Sequence, residues 1–68
     1  MNNNVNIAIN WAKTTTAFLS DGGQVNSFGF FSPFNRNEQA FIIDQLNKHG
    51  ISVKKFANVG AVLTKNGV

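Results

Sequence analysis

No cysteine occurs in the 68 residues, so neither a disulfide nor a thiolate metal site is available. Proline occurs once, as Pro33, and tyrosine not at all. The acids number three, Asp21, Glu38 and Asp44, and His49 is the one histidine. Such a set is too sparse for paired-carboxylate catalysis or a His/carboxylate metal site. No run approaches the ~18 apolar residues of a membrane-spanning helix. Met1 and the three asparagines after it include no basic stretch leading into an apolar segment, so neither a secretory leader nor a membrane association is expected, and the expected setting is cytoplasmic.

What is present is apolar and aromatic. Hydrophobic residues make up 43%, with seven Phe and one Trp, whereas charged residues are only 13%, about half the usual share. Eleven asparagines supply much of the polar surface. The net charge of +3 reflects few acids more than many bases. Its excess lies in residues 35–68, where Arg36, Lys48, Lys54, Lys55 and Lys65 face only Glu38 and Asp44. The length allows one domain, 1–68, with 1–4 expected as a frayed polar end. A chain this short buries only about 60% of its unfolded surface, so packing or oligomerisation must stabilise it.

Patterning predicts an α+β domain, a small antiparallel sheet of four to five strands in the order β-β-β-α-β-β with one helix on one face. Val5, Ile7, Ile9 and Trp11 alternate with Asn6, Ala8 and Asn10, the period of a half-buried strand. Thr14–Leu19 is β-branched and then apolar, consistent with a second strand. Asp21-Gly22-Gly23 signals a tight turn, with Gln24–Ser32 as the returning arm of a hairpin closed by Pro33. The helix is expected from about Asn35 to His49. Asn35 and Glu38 form a capping-box pair, Ile42, Ile43 and Leu46 an apolar stripe, and Gly50 a left-handed ending. Phe41 projects away from that stripe. Ile51–Phe56 and Ala61–Lys65 read as strands joined by a turn at Asn58-Val59-Gly60.

No nucleophile–base pair has a motif behind it, and the glycines form no phosphate loop. His49 stands where a helix ends, a position that favours a cation without any chemistry. No enzyme activity, cofactor or metal is therefore expected. The aromatic run Asn26-Ser27-Phe28-Gly29-Phe30-Phe31 resembles the RNP1 motif of RNA-recognition and cold-shock domains. That resemblance implies that Phe28 and Phe30 stand on an open sheet face and stack bases. Asn26-Ser27 replaces the motif's basic residue and glycine, and Pro33 stands where it has an aromatic. The competing register buries Phe28 and Phe30 against the helix and leaves Phe31 outside. The segment Glu38–Gly67 is similar in element order to mRNA-cleaving toxins with a double-stranded-RNA-binding-like fold. Their catalytic histidine has no counterpart in Val53–Val62.

One helix cannot cover all these rings, so an exposed aromatic surface is expected. The expected function is that of a small non-enzymatic binding protein. It acts as a protein regulator or inhibitor of the kind phages and mobile elements encode, directed for instance at nucleic-acid-handling machinery. Direct binding of single-stranded nucleic acid is the alternative, and a homodimer is a third reading compatible with both. The candidate contact residues are Phe28, Phe30, Phe34, Phe41, Arg36, Lys54 and Lys55. Lys54 and Lys55, adjacent on a strand, must point to opposite faces.

Overall fold

The computed structural model describes residues 2–66; Met1, Gly67 and Val68, which the sequence reading placed at the ends of the domain, lie outside the described residues. The elements are α1 (Asn3–Ala17), β1 (Gln24–Ser27), α2 (Arg36–Lys48), β2 (Ile51–Phe56) and β3 (Gly60–Lys65). The three strands form one antiparallel sheet in the order β1-β3-β2. The α+β class and the antiparallel sheet agree with expectation. The strand count and the order β-β-β-α-β-β do not, because residues 3–17 are helix.

The reason lies in a coincidence of periods. Alternate residues of an α-helix are about 200° apart, so every second side chain also switches sides. Val5 and Ile9 therefore face inward, while Ile7 and Trp11, 60% and 43% exposed, face outward. Ala12 and Thr16 continue the buried row, and the spacing 5, 9, 12, 16 is helical. Asn2 caps the helix, its side chain accepting a hydrogen bond from the Asn4 amide at 2.9 Å. Asn3 and Asn4 are thus helical rather than frayed. The Thr16 hydroxyl is buried and donates to the Ala12 carbonyl at 2.8 Å, which removes the cost of an unpaired polar group.

The turn at Asp21-Gly22-Gly23 is present, with Gly22 at φ +83°, but it joins a helix to a strand. Gly22 N–H donates to the Lys65 carbonyl and Lys65 N–H to the Gly23 carbonyl, at 2.6 and 2.9 Å, carrying the β1–β3 ladder into the turn. β1 then ends at Ser27, and residues 28–34 run through consecutive turns closed by Ser32 N–H to Gly29 O and Phe34 N–H to Phe31 O. Strand alternation therefore never reaches the aromatic run. Phe30, Phe31 and Phe34 are all buried and Phe28 is outside. Neither expected register describes them.

α2, β2 and β3 fall close to where the sequence puts them. Both halves of the capping box are made: Asn35 Oδ1 accepts from Glu38 N–H at 2.8 Å, and Glu38 Oε1 from Asn35 N–H at 3.0 Å. Gly50, at φ +75°, donates to Asn47 O and ends the helix. Phe31, Ile42, Leu46, Leu63 and Val5 are the largest fully buried side chains. They come from the aromatic turn, α2, β3 and α1, so the core lies where both helices meet one face of the sheet. No described helix is long and apolar enough to cross a membrane.

Candidate interaction surfaces

Among the described residues, no three His, Asp or Glu side chains gather into a metal-binding group. No buried side-chain polar atom of the described residues lacks a hydrogen bond. Several large apolar side chains remain outside. Phe18 is 87% and Phe28 75% exposed, joined by Ile7, Trp11, Phe41 and Val59. These residues fall mainly on two surfaces.

The first surface is the sheet face turned away from the helices. Directly opposed residues of antiparallel strands share a face, so the pairs Val25↔Leu63, Val53↔Leu63 and Ile51↔Lys65 place these side chains inward. Gln24↔Thr64, Asn26↔Val62, Ser52↔Thr64, Lys54↔Val62 and Phe56↔Gly60 then lie outward. Neither helix covers this side. At one end Phe28 and Phe56 meet edge to face, 5.5 Å between centroids at 88°. Phe56 folds across Gly60 so closely that a Cβ there would stand 2.6 Å from its ring. Among the described strand residues, the charge directed to this face is Lys54; Glu38 and Asp44 belong to α2, behind the sheet, and Asp21 to the turn before β1. The surface is two rings, one ammonium group and a row of amides and hydroxyls.

The second surface is the outward side of α1 with the groove beside it. Ile7, Ala8 and Trp11 form one wall of this groove, and Gly29, Phe30, Pro33 and Phe34 the other, around about 370 Å³. The Trp11 and Phe30 rings, 5.8 Å apart and inclined at 39°, close its floor.

A third concavity, of about 330 Å³, collects Lys13, His49 and Lys65. Two of these residues serve helix ends. Lys65 Nζ donates to the carbonyls of Leu19 and Ala17 at 3.0 and 3.4 Å, a cation favoured at a helix C-terminus by the dipole, and His49 is the C-cap of α2.

The seven residues singled out in the sequence are not brought together. Phe28 and Lys54 share the open sheet face. Phe30 and Phe34 are buried and belong to the core, with only an edge of each lining the groove. They are absent from the open sheet face, because the turn after Ser27 brings both rings beside α1. Lys55 is exposed but stands on the helix side of the sheet, away from the open face: its Nζ lies 5.7 Å from the Phe31 centroid and donates to Gln39 Oε1, while Gln39 Nε2 donates to the Phe34 carbonyl at 3.0 Å. It thereby ties the aromatic turn to α2. Arg36 is exposed in the first turn of α2, and Phe41, 37% exposed, lies on the same helix. Ile7, Trp11, Phe18 and Phe56 were missed as surface residues. The helical spacing 7, 11, 18 carries the signal for the first three. No family model matches the chain, and neither does any curated protein or solved structure.

Proposed function

We propose that this chain is a small non-enzymatic binding protein whose open sheet face engages another protein, as a regulator or inhibitor that covers its partner's surface. The observation that carries this reading is the Phe28–Phe56 pair. It sets the exposed Phe28 ring, in the turn after β1, against Phe56 at the end of β2 and beside Lys54, on a face that neither helix covers. Aromatic side chains fixed in this way are the residues that dominate protein interfaces. A single lysine and no carboxylate suit a partner that places an apolar side chain next to an acid. The low charge of the face argues for a protein over a polyanion, since phosphate binding draws on many cations.

The same two rings and Lys54 also favour a second reading, single-stranded nucleic acid with bases stacked on Phe28 and Phe56. It departs from the RNP1-like expectation in using Phe56 in place of Phe30. One experiment separates the two. The partner is captured from nuclease-treated extract, and its affinity is then measured by titration against wild type, Phe28→Ala and Lys54→Glu. Phe28→Ala is expected to weaken binding by ten-fold or more, on the order of 2 kcal/mol, without unfolding a chain in which that ring is exposed. Saturable binding of a labelled oligonucleotide, falling steeply between low and moderate salt, would transfer the assignment to nucleic acid.

A further inference from the structure

We infer that the outward side of α1 is a self-association surface, on which α1 of a second copy packs antiparallel about a two-fold axis. Ile7, Trp11 and Phe18 fall within an arc of about 40° on the helix, opposite the buried row of Val5, Ile9, Ala12 and Thr16. A helix that is apolar on two opposing sides is one that is covered on both, and in the monomer only one side is.

The chemistry of this side selects the occupant. Its polar residues are Asn3, Asn4, Asn10, Thr14 and Thr15, all uncharged, and the charge of α1, Lys13, lies round the helix beside His49 and Lys65. A charged ligand finds no counter-charge here. Another copy, though it also carries +3, brings no charge to the contact itself. Spacing supplies self-complementarity. Phe18 lies eleven residues after Ile7, about 16 Å along the axis. An antiparallel pair centred between Ala12 and Lys13 therefore sets Phe18 of each copy opposite Ile7 of the other. Ile7 borders the groove made by Phe30, Pro33 and Phe34, which gives each incoming Phe18 ring a place to enter. The contact is reciprocal, so it closes at two copies.

Area sets the strength. A fully buried aromatic ring contributes about 150–250 Å². With Trp11 already partly covered, the row offers roughly 400–500 Å² per copy. The total is close to the ~1,000 Å² at which specific interfaces begin, the small end of the range where association is weak and concentration-dependent. A chain of this length without cysteine is also one for which oligomerisation is among the few remaining sources of stability. The arrangement leaves the open sheet face of each copy free, so the inference stands or falls independently of the proposed partner.

Sedimentation equilibrium of the full chain from about 5 to about 500 µM, spanning the range such an area supports, tests this directly. The mass is expected to rise from monomer to dimer, and to rise as readily or more so when salt screens the +3 charge of each copy. Phe18→Asp and Ile7→Asp should each raise the dissociation constant by about ten-fold or more. Their circular dichroism should stay unchanged, because both side chains are already in water. Phe28→Asp, on the sheet side, should leave dimerisation alone. A monomer at every concentration overturns the inference. So does a dimer that Phe28→Asp dissolves and Phe18→Asp does not, or one that weakens steeply with salt.

Discussion

The two helices of this protein are built on different terms. α2 carries its own instructions: a complete capping box, Glu38 in the first turn, Lys48 in the last and a left-handed glycine just beyond. Lys48 also pairs with Asp44 one turn earlier, 3.3 Å away but largely in water, where such a pair adds only a few tenths of a kcal/mol. α1 has no acid in its first turn and no base in its last, and it includes Val5, Ile7, Ile9 and three consecutive threonines, residues of modest helix propensity. The cation at its C-terminal end is Lys65, on β3. A helix can thus be specified locally or by what it packs against, and here the second kind carries the exposed apolar row.

The contrast can be broken in four ways, the largest effect first. Leu46→Ala in α2 and Ile9→Ala in α1 remove core side chains of similar size, and each should cost about 2–5 kcal/mol in chemical denaturation. If Ile9→Ala cost almost nothing, α1 would not depend on packing and the comparison would fail. Asn35→Ala should cost about 1 kcal/mol by removing the acceptor for the Glu38 amide. Hydrogen exchange should speed up in the first turn of α2 alone. Lys65→Met should cost about 0.3–1 kcal/mol, with faster exchange in the last turn of α1 and none in α2. Equal acceleration in both helices would mean that Lys65 acts on the whole fold and not on that end. Phe41→Met, which keeps most of the partly covered apolar side chain, should move stability by no more than about 0.5 kcal/mol. A larger loss would reveal packing that its exposure does not suggest.

The same contrast explains what could be read from the sequence. α2, β2 and β3 were legible because their signals are local: Asn35 with Glu38, Gly50, and alternation in Ile51–Phe56. α1 was not, because Val5-Asn6-Ile7-Ala8-Ile9-Asn10-Trp11 satisfies a strand and a two-sided helix equally. Only its continuation through Ala12 and Thr16 distinguishes them, and Thr14-Thr15-Thr16 points locally the other way. Phe28–Phe34 was misread for a related reason. Period-2 logic was extended past Ser27 into turns whose direction depends on a distant contact, Phe31 N–H to the Val59 carbonyl at 2.8 Å. That some rings would remain outside followed from their number and the small core. Which ones remained depended on α1, so Ile7, Trp11 and Phe18 were assigned to the wrong element, whereas Phe56 was placed on its correct strand but not on the open face.

The sheet order has a temporal side. β1 is made early and β2 later, yet they never touch; their common neighbour is β3, the last of the described elements to leave the ribosome. Until it arrives, β1 has no strand to bond with and the end of α1 no lysine. The long loop that β1 must close is therefore compensated only when the middle strand slots in. A nascent chain halted before Gly60 would carry at most the locally encoded α2.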